Sequence, residues 1–273
     1  IYMIKQAIIP LAGLGTRLLP LTSVFAKELL PINGKPGLEY ILDECIEAGI
    51  KEIIFIISQK KNMIKKYFYN DEFYKNIIKR KKDPRIISEY KKILKYKKMI
   101  KFVFQDKPLG TGDAVLKTKK FIKDKYFLML LPDDLIIQKN CSKSMIAVHK
   151  KYKAAVMASM KVAKSEVSRW GIYNVKEKVD NKNFIIQSVV EKPSSKEAPS
   201  SNAVIGRYIL PKTIFNKLSK LKPGRGGEIH ITDAIQSLIQ DKNKFIGHNF
   251  SGKYLDCGTM KGYINSTLEI SKK

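Results

Sequence analysis

The sequence has little arginine, little cysteine and no long apolar run. Only six of its 52 basic residues are arginines, and the rest are lysines. Its three cysteines, Cys45, Cys141 and Cys257, are far apart and lack metal-ligand spacing, which favours a reducing cytoplasm over a disulfide framework. No segment reaches the roughly 18 apolar residues of a membrane span, and the N-terminal residues do not resemble a secretory signal. We therefore expect a cytoplasmic protein without a membrane partner.

The excess of positive charge leaves two classes of protein open. The formal net charge is +27, and residues 60–101 hold sixteen Lys or Arg against four Asp or Glu. Five aromatic residues lie among these lysines: Tyr67, Phe68, Tyr69, Phe73 and Tyr74. They can stack on the bases of a nucleic acid, or they can form the buried side of helices with a lysine-rich surface. The scarcity of arginine, whose planar guanidinium binds phosphate with two parallel hydrogen bonds, favours the second class.

Strand-like and helix-like segments alternate over the first 150 residues. The strand-like segments are QAIIPLAG, KEIIFIIS, IKFVFQ and KYFLMLLPDD. Helical patterns are found in KPGLEYILDECIEAGI, GDAVLKTKKFI and SKSMIAVHKKY, and residues 60–98 are typical of two lysine-rich helices separated near Asp83 and Pro84. This alternation predicts an α/β fold with a Rossmann-like, mixed and mainly parallel central sheet flanked by helices on both faces.

The pattern changes after residue 150. KAAVMASMKV, GIYNVKEK, FIIQSVVEKP and NAVIGRYIL are strand-like segments joined by short turns, whereas ITDAIQSLIQ and TMKGYINSTLEIS are helical. These segments predict a smaller added β portion and a helical end. No internal repeat or low-complexity linker divides the chain, so we expect residues 1–273 to form a single domain. Met3 is a candidate natural start, which leaves open whether Ile1 and Tyr2 are native.

A segment with two glycines and two cations, AGLGTRLLPLTSVFAKELLPI, follows the first strand-like segment. Gly13 and Gly15 let the backbone approach a ligand and direct N–H groups at it, which suits an anion. Arg17 and Lys27 can neutralise phosphates, which makes a simple tight turn the weaker interpretation. Leu18 stands where the dinucleotide fingerprint needs a third glycine, and P-loop spacing is absent. The segment therefore predicts a nucleotide site of another kind, at the strand end where α/β sheets bind nucleotides.

A series of short motifs runs along essentially the whole chain: AGLGTRLLPLT, KELLP, QDKPLGTGDAV, LLPDDL, GIYNV, VVEKP, VIGRYIL, GEIHITDAI and YLDCGTMKGY. In this order they resemble the sugar-phosphate nucleotidylyltransferases, and more closely the bacterial UTP–glucose-1-phosphate uridylyltransferase (UDP-glucose pyrophosphorylase) family. The resemblance implies a GT-A-like fold in which residues 1–150 bind the nucleotide and residues 151–273 form the sugar-binding and C-terminal helical part. It also implies Mg²⁺-assisted in-line attack of glucose-1-phosphate on UTP, which gives UDP-glucose and pyrophosphate.

The resemblance implies roles for residues on the nucleotide side of the site. Arg17 and Lys27 would bind the triphosphate and act in catalysis, and Gln105 would pair with one edge of uracil through its amide. Asp133 and Asp256 would hold Mg²⁺ together with phosphate oxygens. The complete nucleotide-binding set is Ala12, Gly13, Gly15, Arg17, Lys27, Gln105, Gly110 and Asp133. Without the resemblance, Asp133 is equally well explained as a turn or helix-capping residue.

The resemblance also implies a sugar-phosphate site made by Gly171, Glu191, Lys192 and Val204. Glu191 would accept hydrogen bonds from two sugar hydroxyls. Lys192 would hold the sugar phosphate as it attacks, which makes it the third catalytic residue. Gly171 and Val204 would line the pocket through their backbone. Taken alone, the VVEKP segment is better explained as a solvated strand end with a surface charge pair.

Three residues depart from the family pattern. Thr111 and Asp113 stand where compared members usually have a bulky apolar residue and a histidine. Both lie close to Gln105 in the sequence, so this departure bears on the preference for uridine. Glu39 stands where glutamine is usual, on a helix whose apolar face gives it a structural explanation.

Two alternative functions stay open beside the implied one. The first is another sugar-1-phosphate nucleotidylyltransferase that uses dTTP, and the second is a basic nucleic-acid-binding protein. The expected partners are UTP and glucose-1-phosphate, without a specific nucleic acid, and we expect a homo-oligomer (dimer or tetramer).

Overall fold

The computed structural model describes residues 3–272; Ile1 and Tyr2, whose native status is open, lie outside the described residues. The strands are β1 (Gln6–Pro10), β2 (Pro31–Ile32), β3 (Lys35–Pro36), β4 (Glu52–Ile57), β5 (Ile100–Phe104), β6 (Tyr126–Leu130), β7 (Asp134–Ile137), β8 (Ala155–Lys161), β9 (Gly171–Lys178), β10 (Asn183–Glu191), β11 (Asn202–Pro211), β12 (Phe245–Asn249) and β13 (Lys253–Asp256). The helices are α1 (Gly37–Glu47), α2 (Asn62–Tyr69), α3 (Asp71–Lys81), α4 (Pro84–Lys97), α5 (Thr111–Leu116), α6 (Cys141–Tyr152), α7 (Ile214–Leu218), α8 (Ile231–Gln240) and α9 (Met260–Ser271).

One mixed sheet forms the centre of the fold, with its strands in the order β5-β4-β1-β6-β11-β8-β12-β10-β9. The strands from the first 150 residues, β5, β4, β1 and β6, are parallel to one another. The later strands pair antiparallel, except for β8 with β12. The added β portion is thus an extension of the central sheet, joined to it where β11 pairs with β6. A separate two-stranded sheet consists of β7 and β13.

Helices cover both faces of the sheet, as the alternation of segments predicted. Residues of β4 alternate between two hydrophobic cores, because successive side chains of a strand point to opposite faces. Phe55 belongs to the core that also contains residues of α1, α2, α4 and α6, whereas Ile54 and Ile56 belong to the core that contains residues of α5, α7 and α8. Residues 53–57 are all fully buried, as expected of a parallel strand covered on both sides. No helix among residues 3–272 is long and apolar enough to cross a membrane.

The lysine-rich segment forms three helices, so the prediction of two was wrong. The predicted separation near Pro84 is present, and Asp83 caps α4 by accepting a hydrogen bond from Arg85 N at 2.8 Å. A second break divides the first predicted helix into α2 and α3. Asn70 leaves the helical region there (φ −88°, ψ 55°), and Asp71 begins a new first turn, where an acidic residue is favourable.

Helix α5 is shorter than the GDAVLKTKKFI pattern predicted. It ends at Leu116, and turns follow. The hydroxyl of Thr118 donates to the carbonyl oxygen of Val115 at 2.7 Å, a local hydrogen bond that competes with continuation of the helix. The lysines after Leu116 therefore lie in a turn and not on a longer helix.

A buried ion pair joins β11 to α1. Arg207 is fully buried, and its guanidinium donates to Glu44 Oε2 at 2.8 Å and to Glu44 Oε1 at 3.2 Å. It also donates to the backbone oxygens of Leu131 and Asp134, at 3.1 and 2.6 Å. Burial by itself lowers the pKa of Arg207, but the Glu44 carboxylate raises it above its ordinary value. The charged pair therefore fixes the chain between β6 and β7.

Arg207→Met should lower the free energy of unfolding by about 3–5 kcal/mol, because it leaves the Glu44 carboxylate buried without its counter-charge. Urea denaturation followed by circular dichroism measures the loss. The matched control is Arg85→Met, since Arg85 pairs with Asp83 at the exposed surface and should leave the unfolding curve almost unchanged. Equal losses of unfolding free energy in the two variants would contradict a larger contribution of the buried pair to stability.

Candidate active site

Three loops meet at the carboxyl ends of the parallel strands. The glycine loop follows β1, Gln105 follows β5 and Asp133 follows β6, at the edge where α/β sheets bind ligands. They line a cavity of about 450 Å³, to which Glu228 contributes from the second half of the chain. Arg17 lies next to this lining, 3.5 Å from Asp133. The other residues predicted for the nucleotide all line the cavity: Ala12, Gly13, Gly15, Lys27, Gln105, Gly110 and Asp133.

The two glycines of the loop differ in their surroundings. Gly15 has a left-handed backbone (φ +69°), and its carbonyl oxygen accepts a hydrogen bond from Thr22 Oγ1 at 2.8 Å. A methyl group added at Gly15 would lie 3.1 Å from Thr22 Cγ2, so both conformation and space favour glycine. Nothing lies within 4 Å of a methyl group added at Gly13. The backbone at Gly13 is therefore open to the approach of a ligand.

Asp133 is the electrostatic centre of the cavity. Lys27 Nζ lies 2.7 Å and Arg17 Nη2 3.5 Å from Asp133 Oδ2. Burial raises the pKa of Asp133, but Lys27 and Arg17 outweigh it and the pKa is lowered. Burial likewise opposes the charged form of Lys27, yet Asp133 and Glu28 raise the pKa of this amine. Lys27 and Asp133 therefore face the cavity as charged groups.

Asp256 brings a second carboxylate towards Asp133. A methyl group added at Gly258 would lie 2.7 Å from both Asp133 Oδ2 and Arg17 Nη2 and 3.2 Å from Asp256 Oδ1, so the two carboxylates and the Arg17 guanidinium meet around Gly258. Asp256 accepts hydrogen bonds from Gly258 N at 2.8 Å and Thr259 Oγ1 at 3.2 Å, which orient it. Among residues 3–272, no cluster of three or more His, Cys, Asp or Glu could hold a metal by itself. The two carboxylates fit a cation that takes its other ligands from phosphate, as Mg²⁺ commonly does.

The turn that carries Gly110 is clamped by the segment before α8. Gly110 has φ +94°, and a methyl group added there would lie 2.6 Å from the carbonyl oxygen of Ile229. Ile229 N donates to Leu109 O at 2.8 Å, and Gly112 N donates to Ile229 O at 2.7 Å. The buried Gln105 lies against this turn, with its Nε2 3.2 Å from Gly110 O. Backbone contacts therefore fix the place of the Gln105 amide.

The residues predicted for the sugar phosphate are not part of this lining. Gly171 pairs with Glu191 across β9 and β10. A methyl group added at Gly171 would lie 3.1 Å from Glu191 Oε2 and 3.3 Å from Val204 Cγ2, so these three residues meet at one point. Lys192 has a left-handed backbone (φ +47°) and is exposed, and its N–H donates to Trp170 O at 3.0 Å. The structure thus brings Gly171, Glu191 and Val204 together, with Lys192 adjacent in the chain.

Comparison with known proteins decides the family. A model of the family described as nucleotidyl transferase matches residues 6–273. The chain belongs to the nucleotidyl transferase family. A relative from Streptococcus pyogenes serotype M1, named UTP–glucose-1-phosphate uridylyltransferase 2, is 36% identical over 278 residues, which cover 99% of this chain and 91% of the relative.

Two solved structures are similar to this nucleotidyl transferase over nearly their whole length. A UDP-glucose pyrophosphorylase complexed with UDP-glucose is 35% identical, with a TM-score of 0.86 over 99% of both chains. A UTP-bound UGPase from Acinetobacter baumannii is 32% identical, with a TM-score of 0.88 over 98% of this chain and 93% of that one. These similarities confirm the family resemblance and the fold class predicted from the sequence.

One buried ion pair of the nucleotidyl transferase site was not predicted from the sequence. Glu28 lines the cavity beside Lys27 and accepts two hydrogen bonds from Lys61 Nζ, at 2.7 and 2.9 Å. Burial lowers the pKa of Lys61, although Glu28 opposes the shift. Glu28 could have been suspected as a site residue because it belongs to the KELLP motif. Nothing in the sequence distinguishes Lys61 from the many other lysines. The pair anchors the loop that carries Lys27 to the turn before α2.

Most of the aromatic side chains of the lysine-rich segment pack against the protein. Phe68 is fully buried, and the hydroxyl of Tyr67 donates to Glu39. The Glu39 carboxylate also pairs with Lys92, so Glu39 ties α1 to α2 and α4. This confirms the structural explanation of Glu39. The exposed members of the five are Tyr69 and Phe73.

Proposed function

We propose that the protein transfers a uridylyl group from UTP to glucose-1-phosphate and releases pyrophosphate. One observation carries the proposal: a single cavity contains an open glycine loop, a buried amide suited to a base, and the Lys27–Asp133 pair suited to a triphosphate. The names of the relatives support the same substrates. Within a single domain, residues 1–150 supply most of the nucleotide site, and residues 151–273 supply the sugar site and the C-terminal helices.

The proposed UTP site combines backbone groups and two cations. Backbone N–H groups around Ala12, Gly13 and Gly15 approach the phosphates, as glycine-rich loops do in other anion sites. Lys27 neutralises phosphate charge from within the cavity, and Arg17, whose side chain is 64% exposed, acts from its rim. The uracil ring lies against Gln105 and Gly110. In this arrangement the charged groups set the affinity for a triphosphate, and the amide sets the choice of base.

The proposed reaction forms a bond between a sugar-phosphate oxygen and the α-phosphorus of UTP and breaks the bond to pyrophosphate. Alignment and charge neutralisation are the main requirements of such a step. Lys192 holds the attacking phosphate, and Glu191 accepts hydrogen bonds from the sugar hydroxyls. Arg17 and Lys27 stabilise the charge that develops on the leaving pyrophosphate. Gly171 and Val204 line the sugar pocket.

Nucleotidyl transferases generally use a divalent metal, and we assign Mg²⁺ here to Asp133 and Asp256. When bound, the ion neutralises phosphate charge that the side chains leave uncompensated. Lys27 keeps the Asp133 carboxylate ionised, as a metal ligand must be. The hydrogen bonds from Gly258 and Thr259 hold the Asp256 carboxylate towards the same space.

We also propose that the enzyme works in the cytoplasm as a homo-oligomer (dimer or tetramer), without a specific nucleic-acid partner. Several apolar side chains between β1 and β2 are exposed, and exposed apolar patches often mark subunit interfaces. Outside the cavity they are Leu19, Leu21, Val24 and Phe25. The low arginine content and the packing of Phe68 argue against base stacking by the lysine-rich segment.

The direct test is pyrophosphate release across a grid of nucleoside triphosphates and sugar-1-phosphates. UTP with glucose-1-phosphate should exceed every other pair, and dTTP should come second because thymine presents the same hydrogen-bonding edge. Turnover of dTTP alone would identify the thymidylyltransferase alternative, and turnover of no pair would contradict the assignment. Tight, sequence-selective binding of DNA or RNA at physiological salt would favour the nucleic-acid-binding alternative.

Gln105→Ala should relax the choice of base more than it weakens triphosphate binding, because in the proposed site the amide contacts the base of the nucleotide and not its phosphates. We expect the ratio of kcat/KM for UTP to that for CTP to fall by about tenfold or more. Steady-state kinetics with both nucleotides measure the ratio. Gln59→Ala is the control, since Gln59 is exposed and outside the cavity. If the ratio of kcat/KM for UTP to that for CTP is unchanged in Gln105→Ala, other residues determine the choice of base.

Asp133→Asn and Asp256→Asn should each lower kcat by at least about 10²–10³-fold, because each removes a preorganised charge from the reaction. High Mg²⁺ should recover part of the loss, since the defect is partly one of metal occupancy. Lys192→Ala should instead impair the use of glucose-1-phosphate, and added metal should not rescue it.

The measurement is the Mg²⁺ dependence of kcat for the three variants, with circular dichroism as a check of folding. Lys196→Ala is the control for Lys192→Ala, because it removes an exposed lysine from the same loop. Near-normal activity of Asp256→Asn at low Mg²⁺ would mean that Asp256 is not a ligand.

A further inference from the structure

Both amide hydrogens of Gln105 are committed within the protein. Nε2 donates to Asp113 Oδ2 at 2.7 Å and to the carbonyl oxygen of Gly110 at 3.2 Å. Gln105 is 4% exposed and Asp113 9% exposed, so water competes little for these contacts. Gln105 lines the cavity, and the hydrogen bonds that its amide makes to the described residues both come from Nε2 and leave Oε1 for a ligand. Gln105 therefore presents an acceptor, and not a donor, to a base in the cavity.

We propose that Asp113 is a positioning residue that fixes the Gln105 amide and thereby makes the site select uracil-type bases over cytosine. The inference rests on the nucleotide site proposed above. An ionised carboxylate has only acceptor oxygens. If the amide turned over, Gln105 Oε1 would face Asp113 Oδ2 at hydrogen-bond distance without a hydrogen between them. Asp113 therefore permits one amide orientation and opposes the other.

Asp113 is itself held in place by tertiary contacts. It lies in the first turn of α5, and the start of this helix is fixed by the hydrogen bond from Gly112 N to Ile229 O at 2.7 Å. A methyl group added at Gly112 would lie 2.8 Å from the same oxygen, so the helix start is packed closely against that segment. Lys117 Nζ lies 3.8 Å from Asp113 Oδ1, the carboxylate oxygen that does not bind Gln105. The carboxylate is thus oriented independently of any ligand.

The fixed acceptor matches uracil and opposes cytosine. Uracil and thymine carry a hydrogen on ring nitrogen N3, which can donate to Gln105 Oε1. Neutral cytosine carries a lone pair on N3, so the same placement would bring two acceptors together. A site that offers a fixed hydrogen-bonding group rejects the analogue that leaves the group unpaired. Asp113 thus acts on selectivity through Gln105, without contact to the base.

The test is equilibrium binding of UTP and CTP by isothermal titration calorimetry, with wild type, Asp113→Asn and Asp113→Ala. The side-chain amide introduced by Asp113→Asn carries an N–H donor as well as an acceptor, so it would support both orientations of the Gln105 amide with little change of shape. We expect the Kd ratio of CTP to UTP to fall by about tenfold or more in Asp113→Asn, and also in Asp113→Ala. Asp106→Asn is the control, since Asp106 is exposed and the substitution removes the same charge one residue from Gln105.

A double-mutant cycle separates positioning from general damage to the pocket. In the Gln105→Ala background, Asp113→Asn should leave the Kd ratio unchanged, because its effect passes through the amide. A ratio that stays within twofold of wild type in both Asp113 variants would overturn the proposal. So would an equal effect of Asp113→Asn with and without Gln105, or a wild type that binds UTP and CTP equally. Because binding is measured without turnover, a protein that selects UTP but makes no UDP-glucose would contradict the proposed function and leave this inference standing.

Discussion

Two adjacent carboxyl groups where the chain passes from β6 to β7 connect the site with the rest of the fold. Asp133 faces the cavity and pairs with Lys27 at 2.7 Å. Asp134 faces the other way, where it accepts hydrogen bonds from the hydroxyl of Tyr254 at 2.7 Å and from Gly206 N at 2.8 Å. Burial and the charge of Asp133 raise the pKa of Asp134. Each carboxyl group thus has its own partners, and the turn between β6 and β7 has one orientation that satisfies both.

The turn between β6 and β7 is also held from the antiparallel part of the sheet. Arg207, on the antiparallel strand β11, donates to the backbone oxygens of Leu131 and Asp134, on either side of Asp133. Its charge is balanced by Glu44 on α1, which does not line the cavity itself. The position of a carboxylate in the nucleotide site therefore depends on a helix, a parallel strand and an antiparallel strand packed together. Such a site is a property of the whole sheet and not of one loop.

The sequence predicted the parts of the site that depend on local pattern. The glycine loop after β1 was expected at the strand end where α/β sheets bind nucleotides, whereas the family resemblance assigned Gln105 and Asp133 to the same site. The pairing of Glu44 with Arg207 was not predictable, since the two are 163 residues apart and each is an ordinary charged residue in the sequence. The contact of Asp113 with Gln105 was not predicted either, because the sequence showed only that Asp113 departs from the family pattern. The break at Asn70 was missed because the lysine-rich segment has helical character on both sides of it.

The net charge suggested a nucleic-acid partner because it includes every lysine equally. In the structure, lysines differ in burial and therefore in how strongly their charges act. Exposed charges are screened over about 8 Å at physiological ionic strength, so a lysine-coated surface contributes little to a specific site. Lys27 is different, because its side chain is only 15% exposed and its charge is fixed opposite Asp133 inside the cavity. A buried charge interacts more strongly with a phosphate than an exposed one does. In the proposed site, a few enclosed groups such as Lys27 therefore determine the specificity for a nucleotide, and the exposed lysines can vary without altering them.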